Sequence, residues 1–400
     1  MQRTGNANLP LHAGRVPAWL SVRMAALGRV IAEAIIQHYG RRELLHRLAS
    51  PFWFQSLGAV MGMDWHSSGI TTSVIGALKR GLAPMQRELG VFVCGGRGAH
   101  SRRTPAELSS MGERTGVDTA PLIHSSRLVA KIDSALVQDG YDLYLHGFFA
   151  TTDGDWCVVQ QGMNGSRREA RRYHWQSDTL TGFFDSPHAA IEGRNVGSIV
   201  NLADRRAEAN RAAGLELVRG GPDFPIAILR RPVGQQPRNL DLFAESTLQL
   251  PAHHDVRASD INLNRLHATL AAAAERGPKD FADLLLTPGL GARTVASLAF
   301  VAEVIHGAPY RFTDPGRFSL AHGGKDGHPF PVPLKVYDET VWVLKRAISN
   351  ARLGRREQLD AIKRLDDQAR SIDRVASGPS FEEYTAIERE HSRDYGGRTV

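Results

Sequence analysis

Cysteine is almost absent from this 400-residue chain; Cys94 and Cys157 are the only two. Two thiols exclude a disulfide scaffold and leave no cluster able to hold a structural zinc or an iron–sulfur centre. They suit a reducing compartment. No apolar run reaches membrane-spanning length, so no membrane partner is expected. The opening stretch MQRTGNANLPLHAGRVPAWL lacks a signal-peptide core, which makes the cytoplasm the expected location, and the nucleoid if DNA is the partner. Lysine is scarce as well: seven of 49 basic residues, so nearly all positive charge is arginine.

What is present describes a globular protein, 42% hydrophobic and 23% charged. The length exceeds what one core usually serves, so two or three domains are expected. A formal net charge of +7 favours a polyanionic partner, with solvated arginines as the alternative.

Hydrophobic periodicity divides the chain. Leu20, Met24, Leu27, Ile31 and Ile35 recur at helical spacing up to Gly40, and SPFWFQSLGAVMGMDWHSSG and TTSVIGALKRGL continue in the same way. Val91 to Val93 form a short β-like run that enters a Gly-rich turn. SSRLVAKIDSALVQDG reads as a helix with Leu128, Ile132 and Leu136 on one side and Arg127, Lys131, Ser134 and Gln138 on the other. YDLYLHGFF, TTDGDW and CVVQQGMN read as strand, turn and strand. Residues 219–260 are rich in Pro, Gln and Gly and read as a linker or long loop. The expected fold is mainly α with a small β-hairpin element (α+β). An N-terminal helical module with the hairpin covers 1–218, a helical module covers 261–376, and a polar tail covers 377–400.

The stretch LLLTPGLGARTVASLAF (Leu284 to Phe300) fits a helix-hairpin-helix. Pro288 breaks the first helix, and Gly289 and Gly291 permit a tight turn with close backbone approach. The amides that open the second helix, near Arg293 and Thr294, then form a seat for a DNA phosphate, helped by the helix dipole. A plain helical hairpin is the alternative. The stretch resembles the hairpin of the base-excision glycosylase superfamily, in which a catalytic aspartate follows. That resemblance implies Asp314, in YRFTDPGRF, as the catalytic carboxylate. Arg293 stands where bifunctional members carry a Schiff-base lysine; a guanidinium cannot form that adduct, so the implied enzyme is a monofunctional glycosylase. Over nearly its full length the chain resembles the bacterial and archaeal family known as domain of unknown function 763. The segments that carry this are RTGNANLPLHAGRVPAWL, DWHSSGITTSVIGALK, FVCGGRG, WCVVQQGMN, RRYHW and DPGRFSLAHGGKDG. That family brings no activity with it.

Other constellations carry chemistry on their own residues. SLAHGGKDGHPFPVP gathers His322, Lys325 and Asp326 around glycines, suited to phosphate binding or acid–base work, or to a surface Lys–Asp turn. MDWHSSG offers Asp64 and His66 as metal ligands, against helix capping by the neighbouring hydroxyls. CGGRGAHSRRTP could cradle a phosphate with its glycine amides and Arg97, Arg102 and Arg103, or be a solvated basic loop. Asp133, Asp139, Asp142 and His146 precede VVQQGMN, but Gln160 is followed by Gln161 and Gly162 with no lysine, unlike a restriction-type nuclease core. Gln160, Gln161 and Asn164 instead suit base edges or a flipped base, or hydrogen bonding within a β-layer. Arg167, Arg168, Arg171 and Arg172 suit phosphates or a solvated helix face. The expected function is DNA binding coupled to processing or repair. Three classes stay open: a monofunctional glycosylase, a nuclease using Mg or Mn with Asp64, His66, Asp133 or Asp139 as ligands, and a non-catalytic binding module.

Overall fold

The helical periodicity of the N-terminal region forms α1 (Ala18–Tyr39), whose Met24, Leu27, Ile31 and Ile35 are buried. Gly40, at φ 90°, ends it and admits the turn into α2 (Arg41–Ala49). Ser50 then starts α3 (Pro51–Val60): its hydroxyl accepts from the Trp53 amide, and Pro51 occupies the first turn, where no amide is needed. Helix α4 (Gly69–Leu82) packs on α1 with Gly81 against the Ala25 carbonyl, a contact with no room for a Cβ. The computed structural model describes residues 9–10, 18–63, 68–230 and 263–316, with Trp342, Leu344, Arg346 and Ser349.

A short helix, α5 (Gln86–Leu89), leads into the central sheet. Its strands are β1 (Leu9–Pro10), β2 (Val91–Arg97), β4 (Asp142–Thr151), β5 (Trp156–Asn164), β6 (Glu169–Gln176) and β7 (Ala190–Glu192). All pairings are antiparallel, in the order β1-β6-β5-β4-β2, with β7 also on β6. Side chains alternate across the sheet. Val91, Val93, Leu145, Phe149, Cys157 and Val159 face α1 to α4, and Leu344 joins that core. Phe92, Cys94, Phe148, Val158, Tyr173 and Trp175 face a second helical layer.

That layer contains α6 (Thr104–Thr115) and α7 (Ala120–Lys131), the latter extended by a π-helical turn, Ile132–Leu136. Helices α8 (Glu208–Arg219), α9 (Asp223–Arg230), α10 (Leu263–Arg276), α11 (Phe281–Leu285) and α12 (Ala292–His306) share its core. A second, three-stranded sheet joins the two parts of the chain: β3 (Val137–Gln138) and β9 (Arg311–Thr313) both pair with β8 (Ser198–Asn201).

Four expectations change. The fold is α+β, but the β part is a two-sided central sheet rather than a small hairpin. GSRREARRYHWQS contributes β6, a strand buried along its whole length, and not a basic helix face. Gly95 and Gly96 lie inside β2 rather than in a turn; Gly95, at φ 84°, passes so close to the His146 carbonyl that a Cβ would stand 2.2 Å from it. The region expected as linker begins with the end of α8 and with α9, and its residues 231–260 lie outside the described ones.

Candidate functional site

Arg171 and Arg172 project to opposite faces of β6, and neither guanidinium reaches solvent. Arg171 meets Asp139 at 2.7 Å and the Asp314 carboxylate at 2.7 and 2.8 Å, and it also donates to the Arg194 carbonyl. Asp314 accepts from the Val196 and Gly316 amides at 2.8 Å each, while Tyr173 donates its hydroxyl to Asp139 at 2.7 Å. Burial works against the Arg171 charge, but the two carboxylates outweigh it and hold its pKa well above the ordinary arginine value. On the other face, Arg172 pairs with Glu192 at 2.8 Å and donates to Gln55 and Thr71. These contacts correct two expectations. Arg171 and Arg172 are not phosphate contacts, because both are desolvated and already paired. Asp314 is not a free general base, because a guanidinium and two amides occupy its oxygens.

Asp133 is equally closed to a metal. Its Oδ2 accepts from Gln160 Nε2 at 2.5 Å and Trp175 Nε1 at 2.9 Å, and its Oδ1 accepts from His188 Nε2 at 2.5 Å. Asp139 is filled by Arg171, Tyr173 and the Tyr141 amide. Among the described residues, no group of three or more His, Cys, Asp or Glu side chains is placed to hold a metal ion.

The Asp133 contacts set the polarity of a longer chain. Gln160 Nε2 also points to the Val129 carbonyl, another acceptor, so the amide oxygen of Gln160 is the end that faces His146. His146 Nδ1 lies 2.7 Å from that oxygen and must carry the ring proton. Nε2 is then the bare nitrogen, 2.9 Å from the Ser126 hydroxyl, which donates to it. Burial lowers the His146 pKa, against smaller opposing effects of Gln160 and Asp133, and keeps the ring neutral at pH 7.

Ser126, His146 and Gln160 line a cavity of about 430 Å³ between α7 and β4. Arg102, Arg127 and Lys131 also line it, and among the described residues no carboxylate does. Leu286, at the end of α11, forms part of the wall. The cavity is therefore a neighbour of the Pro-Gly-Leu-Gly turn. Lys131, its pKa lowered by burial, donates to the Leu290 carbonyl at 2.6 Å, and Gln138 donates to the Ala292 carbonyl at 2.8 Å. In a trans peptide the C=O and the next N–H point in opposite directions, so the Gly291 amide is aimed away from Lys131. Among the described residues, no side chain caps α12. Pro288, Gly289 and Arg293 are exposed, whereas the Thr294 side chain is buried and only its amide belongs to the first turn. Gly289 needs glycine at φ 83°; Gly291, at φ −117°, does not.

Further exposed cations lie at strand ends and turns. Arg97 closes β2, Arg102 and Arg103 follow it, and Arg167 and Arg168 form the β5–β6 turn; all five are exposed. Gly95 offers no free amide for a phosphate, since its N–H donates to Glu107 at 2.7 Å. Gln161 is buried and donates to the Ser68 carbonyl and the Tyr144 hydroxyl. Asn164 spends its amide on the turn it belongs to, bonding Gly140, Ser166 and Arg167. Neither side chain is presented to a base. Asp64, His66, His322, Lys325 and Asp326 lie outside the described residues.

The sequence reading missed Ser126 and His188. Ser126 and Asp133 are seven residues apart, two helical turns, and share the buried side of α7 and its extension with Leu122 and Val129. Two polar groups repeated on an apolar face were the available signal. His188 sits in an irregular segment and had none.

Among the described residues, no helix is long and apolar enough to cross a membrane. Neither a curated protein nor a solved structure matches the chain. The family model described as "Protein of unknown function (DUF763)" matches residues 5–332, a span that contains the hairpin turn, the cavity and both buried networks, and the chain belongs to that family.

Proposed function

We propose that the protein binds the phosphate backbone of DNA, with the turn at Pro288–Gly291 as the point of closest approach. One observation carries this reading: among the described residues, the start of α12 is uncapped and shares a wall at Leu286 and Lys131 with a cavity lined by three cationic side chains and no carboxylate. Backbone amides and a helix dipole favour an anion at the turn, and the arginines around it supply long-range attraction. Such contacts would position a duplex without reading its sequence. The reading places the protein in DNA processing or repair. A glycosylase acting through Asp314 draws no support from that residue's saturated environment.

The test is fluorescence anisotropy of a labelled duplex over a salt series. Affinity should fall steeply with salt as counterions are released. Gly291→Ala is the informative variant, since its Cβ would meet nothing within 4 Å inside the protein and its backbone is already extended. A methyl there should weaken binding roughly tenfold, about 1.4 kcal/mol, by crowding the phosphate. Arg127→Ala and Arg293→Ala should each reduce the salt slope by about one. Wild-type protein without duplex affinity at low salt ends the reading.

A further inference from the structure

The Ser126–His146–Gln160 chain does more than satisfy buried polar groups, because its two ends differ. At Asp133 both carboxylate oxygens accept hydrogen bonds, from Gln160, Trp175 and His188. At the other end Ser126 lines the cationic cavity, and its hydroxyl donates to the bare nitrogen of His146. The tautomer that leaves this nitrogen bare is imposed by Gln160, whose own orientation is imposed by Asp133 and the Val129 carbonyl. A nucleophile, a base and an orienting group thus stand in hydrogen-bonded order, with Arg102, Arg127 and Lys131 supplying positive charge where a phosphate would sit.

We propose that the cavity is a phosphoryl-transfer site in which Ser126 is the nucleophile, His146 the base and Gln160 the positioning residue, acting on a phosphodiester. The Ser126 oxygen attacks phosphorus, forming the Oγ–P bond as the P–O bond to the leaving alcohol breaks. The hydroxyl proton passes to His146 Nε2 and from there to the leaving oxygen. Water then attacks the phosphoserine with His146 taking its proton; the Oγ–P bond breaks and Ser126 recovers a proton from His146. The surrounding cations offset the charge that builds on the phosphoryl oxygens. Asp133 acts through Gln160, and Arg102 and Arg127 are the cations nearest the solvent side. The proposal deepens the DNA reading, since a duplex backbone is one source of a phosphodiester, but the cavity chemistry is testable without DNA.

The first experiment treats the full chain with a fluorophosphonate probe, in which an Oγ–P bond replaces P–F, and locates the adduct by peptide mass spectrometry. One adduct is expected, on Ser126, with a rate that is flat above the ordinary histidine range and falls as acid protonates His146. His146→Gln should slow it by about 10²–10⁴-fold. A merely structural Ser–His bond would give neither the adduct nor the pH profile. Ser126→Cys gives a second readout, because both native thiols are buried with raised pKa values, Cys94 at about 12. Iodoacetamide should alkylate the substituted thiol with an apparent pKa well below the ordinary value of about 8.5. Turnover of bis(p-nitrophenyl) phosphate with none on p-nitrophenyl phosphate assigns a diester, and a duplex trapped covalently in detergent assigns DNA as its source. A folded wild-type chain that forms no Ser126 adduct, together with ordinary or absent reactivity of the thiol in Ser126→Cys, overturns the proposal. Duplex affinity measured by anisotropy stands or falls separately.

Discussion

Arg171 on β6 and Gln160 on β5 project from the same face of one sheet, yet they anchor polar clusters of opposite character. Around Arg171, one cation is balanced by Asp139 and Asp314, and backbone amides take the remaining carboxylate lone pairs. Arg171 Nε is buried without a hydrogen-bond partner among the described residues, but neither the guanidinium nor its two carboxylates border the cavity. Around Gln160, a single carboxylate orders a line of neutral groups that runs outward to a hydroxyl at a cavity. The residue types are those of catalytic sites in both places. What separates structure from chemistry here is whether the last member of the network has a partner or an opening.

The largest effect that would break this comparison is at the closed cluster. Arg171→Leu leaves two buried carboxylates uncompensated, and removing one partner of a buried pair typically costs about 3–5 kcal/mol. Urea unfolding should show that loss or an unfolded chain; a loss below about 1 kcal/mol would mean the cluster is not closed. Acid is the next largest perturbation. His146 and His174 both have lowered pKa values, His146 through burial and His174 through burial and then the nearby Arg172 charge. Each is neutral when folded and binds a proton at about 6.5 when unfolded, so its stabilisation is complete above pH 6.5 and is lost as pH falls below it. Each should add to the loss as pH falls through that window, by at most about 1.4 kcal/mol per pH unit, measurable as a falling urea midpoint. Replacing His146 should remove its share of the slope and leave the share of His174.

Smaller effects sharpen the open network. Gln160→Leu leaves Asp133 and His146 each short of a partner, which should cost about 1–3 kcal/mol. It should also free the His146 tautomer and slow the fluorophosphonate reaction even where the fold survives. Ser126→Ala removes one hydrogen bond at a cavity, and about 1 kcal/mol is expected. A thermal scan showing a loss like that of Arg171→Leu would place Ser126 in a structural network after all.

Much of the frame was legible along the chain. The α1 periodicity and the β4–β5 hairpin follow from local pattern, because α1 buries one helical stripe and two β-rich runs flank the Asp153-Gly154 turn. β4, β5 and β6 are all covered on both faces, but only β6 buries charged side chains there, and that made it illegible. Arg171 and His174 stand where apolar residues would normally mark a buried strand, and Arg171 finds its partners 32 and 143 residues away. Local charge density therefore suggested an exposed face. Asp314 was misread for the same reason, since its place after the hairpin says nothing about Arg171. The Pro288–Gly291 turn was legible, because proline and a positive-φ glycine impose it whatever surrounds them.

The sequence by itself determined the helices with one apolar side, the central hairpin, the glycine turn before α12 and the excess of positive charge, since these depend on neighbours a few residues away. Only the tertiary structure decided which polar groups are buried, which are paired and which face a cavity. The reason is physical: the state of an ionisable group is set by desolvation and by the nearest charges, and in this chain those come from segments far apart in sequence. Ser126, His146, Gln160 and Asp133 form one line only because α7 lies across β4 and β5.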